Sequence, residues 1–184
     1  RDKNPGVVKC IFASRIHPHK NLHIAIKAVL NIQSDSKVIF DVYGVVDDQV
    51  YYEQCVDMAK THNKSIEINF KGPLPHNELF TTLKQYHLFI LPTLGENFGH
   101  VIFEAMSAGC PLLISDKTPW TDVMKSGAGW IAPCYDVKEY TNVIMKVCAM
   151  DRETLNLVSL NVRNYADHYI KSINAIDRYF QLFQ

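Results

Sequence analysis

Residues able to do chemistry are densest in the run Pro92-Thr93-Leu94-Gly95-Glu96-Asn97-Phe98-Gly99-His100-Val101-Ile102-Phe103-Glu104-Ala105-Met106. Gly95 and Gly99 let a ligand approach the backbone closely. The amides of Gly99, His100 and Val101, at the start of an expected helix, are donors without intrahelical partners. Glu96 precedes that helix and Glu104 lies inside it, eight residues on. Glu104 is embedded in Val101-Ile102-Phe103 and Ala105-Met106, and a carboxylate in apolar surroundings needs partners. The vicinal hydroxyls of a sugar suit it, because one carboxylate accepts two hydrogen bonds. The alternatives are a Glu104 on the wet side of an amphipathic helix and a Glu96 that is only a loop charge.

A second group stands near the N-terminus, in Ser14-Arg15-Ile16-His17-Pro18-His19-Lys20-Asn21. Arg15 and Lys20 flank a short loop that opens a helix. Two cations beside a helix N-terminus attract an anion, because the free amides and the macrodipole act in the same sense. Taken alone, the pair also reads as two solvated surface charges. His17, His19 and His23 form H-x-H-x-x-x-H, with His19 and His23 able to share a helix face. No carboxylate or thiol stands close by to complete a metal site, so loop and helix-surface histidines are expected. Trp120 reads as a loop anchor or as a residue near the cleft, with packing the expected role.

These groups need a scaffold, and the hydrophobic pattern supplies one. Apolar runs at Val7–Ala13, Val38–Tyr43, His87–Leu91, Pro111–Ser115 and Trp130–Ala132 read as strands, as does the alternating segment Ile66–Phe70. Helical stripes or caps lie between them: Asn21 to Ile32, Asp47 or Asp48 to Lys60, Pro75 to Gln85, and Gly99 to Ala108 closed by Gly109. From Val137 to Gln184 the chain is helical. Alternation of this kind predicts an α/β fold with a doubly wound, mostly parallel sheet and helices on both faces. Ligands of such sheets bind beyond the carboxyl ends of the strands, where both groups fall. The 184 residues predict one domain, with a core over about residues 7–148 and a helical tail over about 149–184.

Composition removes several classes of function. Lys+Arg and Asp+Glu are 19 each, which argues against a nucleic-acid binder. With 47% hydrophobic residues the chain is not disordered. No apolar stretch approaches the roughly 18 residues of a membrane span. No signal peptide is visible, and a start at Arg1 suggests a piece of something longer. Cys10, Cys55, Cys110, Cys134 and Cys148 are expected as buried free thiols in a reducing compartment. Neither G-x-G-x-x-G after the first strand nor G-x-x-x-x-G-K-[ST] occurs, which disfavours a dinucleotide oxidoreductase and a P-loop hydrolase.

The run from Glu96 to Pro111, Glu-Asn-Phe-Gly-His-Val-Ile-Phe-Glu-Ala-Met-Ser-Ala-Gly-Cys-Pro, resembles the E-x-F-G-x-x-x-x-E-A-M-A-x-G-x-P pattern of the retaining GT-B glycosyltransferases of family 4, also called group 1. Ser14-Arg15 with Lys20 is similar to that family's G-R…K motif, and Phe70-Lys71-Gly72 and Leu91-Pro92 to its F-x-G and L-P-S elements. Departures are small: Ser14 and Asn21 stand where the family has Gly, Thr93 where it has Ser, and Ser107 where it has Ala. The resemblance implies a six-stranded Rossmann-like sheet, the C-terminal half of a GT-B fold. It implies a nucleotide-sugar donor such as a UDP- or GDP-sugar, hexosyl transfer with retention, and no divalent metal.

Arg15 and Lys20 would neutralise the diphosphate, helped by amides near Gly99, His100 and Val101. Glu104 would hold the ribose hydroxyls, Glu96 would contact hydroxyls of the donor sugar, backbone at Gly72 and Leu74 would meet the base, and Asn97 and Phe98 belong to the same expected donor-binding set. Glu96, Arg15 and Lys20 are thus the expected catalytic set. The resemblance also implies a missing N-terminal domain that supplies the acceptor side, so this fragment alone is expected to be inactive. It implies a cytoplasmic enzyme, with peripheral association at the inner membrane face for the full protein. A sugar-nucleotide epimerase of related architecture and a degenerate nucleotide-binding scaffold are the competing readings. The C-terminal aromatic and aliphatic stripe Tyr169, Ile173, Ile176, Phe180 and Phe183 fits either closure of this domain's own core or contact with the missing half.

Overall fold

The computed structural model describes residues 2–33, 36–60 and 65–181, with side chains as far as residue 173. Six strands form one sheet: β1 (Val7–Ala13), β2 (Lys37–Tyr43), β3 (Ile66–Gly72), β4 (Leu88–Leu91), β5 (Leu112–Ser115) and β6 (Gly129–Ala132). Their spatial order is β3-β2-β1-β4-β5-β6, and every neighbouring pair is parallel. Helices α1 (Leu22–Leu30), α2 (Gln49–Ala59), α3 (His76–Leu83) and α4 (His100–Ser107) fill the crossovers, and α5 (Val137–Ala149) and α6 (Arg152–Gln181) follow the last strand.

The sequence pattern explains the layering. A parallel strand covered on both faces must be apolar on both, so it reads as a run and not as an alternation. All four residues of β4 are buried, as are all four of β5. In β1 only Val7 and Lys9 escape full burial. Helix α1 buries Leu22, Ile24, Ala25, Ile26, Ala28 and Val29, a stripe wide enough to lie on the sheet and meet α5. Asp48 caps α2 by accepting from the Tyr51 amide at 2.9 Å, whereas Asp47 pairs elsewhere. Pro75 occupies the cap position of α3 and stops short of its first turn. Gly109 closes α4 with φ of 68°, a left-handed conformation that costs other residues a clash at Cβ.

Helix α6 packs across α4 through rings. Phe98, Phe103, Trp120, Tyr165 and Tyr169 form a connected aromatic cluster, with Trp120 at its centre and only 3% exposed. Trp120 Nε1 donates to the Phe98 carbonyl at 2.6 Å, which makes it a loop anchor. Tyr169 of the C-terminal stripe therefore belongs to this domain's own packing, while Ile173 is exposed. The side chains of Ile176 and Phe180, and all of Phe183, lie outside the described residues. The five cysteines are free and buried, as their surroundings predicted. Among the described residues no helix is long and apolar enough to cross a membrane.

Candidate functional site

The chain starts in the middle of the sheet, runs outward through β2 and β3, then returns to the other side of β1 with β4. That reversal leaves a crevice between the carboxyl ends of β1 and β4, the place where open α/β sheets bind ligands. The loop after β1 carries Arg15 and Lys20, and the loop after β4 carries Glu96 and Asn97. The topology therefore brings together the two groups of residues that the sequence singles out.

Backbone contacts tie the two loops together. The amide of Leu94 donates to the His19 carbonyl at 2.8 Å, and His19 Nε2 donates to the Gly95 carbonyl at 3.0 Å. Asn21 is buried and is the only non-glycine residue with positive φ (61°) among those described. Its Nδ2 donates to the carbonyls of Pro92 (3.0 Å) and Cys134 (2.7 Å), fastening the loop after β1 to the ends of β4 and β6. An Asn tolerates this left-handed conformation and supplies bonds that a Gly would lack.

Two hollows open at the crevice. One is a slot of about 250 Å3 at the ends of β1 and β2, walled by Tyr43, Val45, Pro73, Leu74, Leu79 and Val101, with Arg15 and Glu104 at its polar edge. Gly44 is required where this slot meets β1, because a Cβ there would stand 1.9 Å from the Ser14 carbonyl oxygen. The other hollow, about 560 Å3, is polar and wide, and is lined by Arg15, His19, Lys20, Gly95, Glu96, Asn97 and Lys117 among others. Arg15 lines both and so marks the passage between them.

The charges in this crevice are paired. Lys20 Nζ donates to Glu96 Oε1 at 2.5 Å, with side chains 13% and 12% exposed. Arg15 pairs with Asp47 at 2.7 Å, and Lys117 with Asp116 at 2.9 Å. Glu104 is half-buried on α4, with Oε1 3.3 Å from His76 Nδ1, so it is neither fully enclosed nor on a wet face. Helix α4 opens at Gly99 (φ 77°) without a side-chain cap, and its first backbone bonds run from Ile102 and Phe103 to the Gly99 carbonyl.

Several expected residues sit differently from one another. Leu74 and Val101 line the slot, while the Gly72 carbonyl is taken by the Gly44 amide at 2.9 Å. Asn97 lines the polar hollow, but the Phe98 ring turns into the aromatic cluster and its carbonyl is bound by Trp120, so Phe98 offers no side chain to the crevice. His100 is exposed and rests against the Phe98 ring. The three histidines serve three separate partners: His17 Nδ1 accepts from the His19 amide, His19 meets Gly95, and His23 meets the Tyr51 hydroxyl at 2.9 Å. Among the described residues no three His, Cys, Asp or Glu side chains gather in a way that could hold a metal ion. Tyr43, Val45, Leu79 and Lys117 were not singled out from the sequence. Lys117 follows β5, a strand end whose significance becomes visible only once the strand order is known.

Comparison with known proteins agrees with this fold. A family model described as "Glycosyl transferases group 1" matches residues 2–164. The O-antigen chain mannosyltransferase RfbU of Salmonella typhimurium is 28% identical over 130 residues, covering 71% of this chain and 35% of that protein. The UDP-Gal:alpha-D-GlcNAc-diphosphoundecaprenol alpha-1,3-galactosyltransferase of Escherichia coli is 25% identical over 174 residues, covering 92% of this chain and 43% of that protein. The chain thus spans less than half the length of these relatives. The crystal structure of HepE from Anabaena in complex with UDP and glucose superposes with a TM-score of 0.75 at 19% identity, covering 97% of this chain and 49% of that one.

Proposed function

The chain belongs to the group 1 glycosyltransferases, and from that premise we propose that its crevice binds the nucleotide-diphospho-sugar donor of a retaining hexosyltransferase. The observation that carries this reading is the position of Arg15 between two unlike hollows. On one side lies an apolar slot with a carboxylate at its edge, suited to a nucleobase and the vicinal hydroxyls of its ribose at Glu104. On the other lies a polar hollow with Lys20 and Glu96, suited to a sugar. A diphosphate spanning the two meets Arg15, Lys20 and the amides at the start of α4.

In this reading the residues act electrostatically. Arg15 and Lys20 neutralise the diphosphate in place of a divalent cation and stabilise the negative charge that grows on it as the glycosidic bond breaks. Glu96 gives up Lys20 to the phosphate and turns its carboxylate to the hydroxyls of the donor sugar. No side chain here is assigned as a covalent nucleophile. The acceptor side is contributed by a second domain, so this chain by itself binds donor and transfers no sugar. The full protein works in the cytoplasm or against the inner face of a membrane.

Thermal unfolding with UDP, GDP, ADP and their sugars at millimolar concentration tests the proposal, because a ligand that binds only the folded chain raises Tm by mass action. One nucleotide series is expected to stabilise the chain, and Lys20→Ala to weaken that nucleoside diphosphate at least tenfold. No shift with any of them, or an unchanged affinity in Lys20→Ala, overturns it.

A further inference from the structure

The strand order lays the crevice out as a line. The apolar slot sits at the ends of β2 and β1, Arg15 and Lys20 follow β1, Glu96 and Asn97 follow β4, and Asp116 and Lys117 follow β5. Neighbouring strands are about 4.8 Å apart. Lys117 therefore stands two strand spacings, about 10 Å, from β1 on the side away from the slot. With a nucleoside in the slot and a diphosphate at Arg15 and Lys20, the next group along the line is the sugar.

Lys117 is also built into the site. Its carbonyl accepts from the Glu96 amide at 3.1 Å, so its backbone fixes the loop that carries Glu96. Its half-exposed side chain reaches the same polar hollow as Lys20 and Glu96. Asp116 holds the ammonium through Oδ2 at 2.9 Å, while Asp116 Oδ1 accepts from the Cys134 amide at 3.3 Å. The carboxylate is thereby anchored to the end of β6 and fixes where the ammonium stands. It also raises the Lys117 pKa, mainly through their hydrogen bond, which keeps the lysine charged. An ammonium has three donors, and one is used by Asp116.

Resting on the reading of the crevice as a nucleotide-sugar site, we propose that Lys117, positioned by Asp116, is a donor-sugar contact whose ammonium donates to a hydroxyl oxygen of the hexosyl ring. It reads the part of the donor that distinguishes one sugar from another, and leaves the diphosphate to Arg15 and Lys20.

The test compares the unaltered chain with Lys117→Met by calorimetric titration. The probes are UDP, GDP and ADP, each beside its own sugar conjugate (UDP-glucose, GDP-mannose, ADP-glucose). For the nucleotide that binds, the bare diphosphate is expected to keep its affinity within about twofold in Lys117→Met. The extra affinity brought by the sugar is expected to fall about fivefold, the scale of one partly exposed charged hydrogen bond. Equal weakening of the diphosphate and its conjugate makes Lys117 a phosphate contact and overturns the proposal. An undiminished sugar increment, or no increment in the unaltered chain, overturns it as well. If no nucleotide binds the unaltered chain, the donor-site reading fails first and this proposal with it. If the diphosphate binds and Lys20→Ala weakens it while Lys117→Met changes nothing, only this proposal fails.

Discussion

Replacing Glu96 by Gln separates the two jobs that the Lys20–Glu96 pair holds together. Both side chains are nearly nine-tenths buried and meet at 2.5 Å. Removing one partner of a fully buried pair costs about 3–5 kcal/mol, because the other charge is left without compensation. Gln keeps an acceptor oxygen for Lys20 and the pair retains some contact with water, which brings the expected loss to about 1–2 kcal/mol. For a chain of this size each kcal/mol moves Tm by about 2–4 °C, so Tm should fall by about 2–8 °C. The effect on ligands runs the other way. In the proposed donor site a diphosphate draws Lys20 from the Glu96 carboxylate, and in Glu96→Gln it competes only with a neutral amide oxygen. A bare nucleoside diphosphate should therefore bind Glu96→Gln at least threefold more tightly, an estimate of about 0.7 kcal/mol of avoided competition. The nucleotide-sugar should gain less or lose affinity, because the proposed contact of the Glu96 carboxylate with sugar hydroxyls is weakened. Unfolding curves and titration calorimetry on both chains give all three quantities. Weaker binding of the bare diphosphate to Glu96→Gln refutes the reasoning, since Glu96 would then not compete for Lys20.

Two further substitutions test how the scaffold holds the site. Asn21→Gly keeps a residue that tolerates φ of 61° but removes both donors to Pro92 and Cys134. It should cost about 1–3 kcal/mol in urea unfolding and also weaken nucleoside diphosphate, because the loop bearing Lys20 loses its fastening. Trp120→Ala empties the centre of the aromatic cluster between α4 and α6 and should cost about 3–5 kcal/mol. Its near-ultraviolet circular dichroism should fall, while α1 and β1 keep their slow amide exchange.

Much of the scaffold was legible because strands such as β4 and β5 are buried on both faces and appear as unbroken apolar runs, while the edge strand β3 shows as an alternation. Leu88-Phe89-Ile90-Leu91 and Leu112-Leu113-Ile114 are examples. Turn chemistry fixed the ends: Gly109 stops α4, and Asp48 starts α2. Asp47 and Asp48 offered equal caps in the sequence, and the choice fell to Asp48 because Asp47 reaches Arg15 across the β1 loop. The glutamates, Arg15 and Lys20 stand out in the sequence because their types and spacing resemble a known motif, and the fold brings them to one crevice. What was not legible follows from strand order. Tyr43, Leu79 and Lys117 come from segments about 36 and 38 residues apart, and only the sequence of strands in space sets them along one crevice. Phe98 shows the opposite limit. Its place in the motif suggested the ligand side, but a ring of that size gains more by packing against Trp120 and Tyr169 than by facing water.

If the crevice takes a nucleotide as proposed, the pairing of Arg15 with Asp47, Lys20 with Glu96 and Lys117 with Asp116 also governs how that nucleotide arrives. Each cation faces an adjacent carboxylate, and the chain as a whole carries a formal net charge of zero. Seen from more than a Debye length, about 8 Å in physiological salt, such a mouth presents dipoles and no sustained positive potential. A polyanionic donor approaching it is not steered, so its association rate should vary little with ionic strength, unlike the strongly steered encounters of clefts lined by one sign of charge. Attraction sets in only at contact, when phosphate oxygens replace carboxylates one by one. Selection in this crevice is then a matter of exchange at short range, and discrimination between donors falls on how fast they leave.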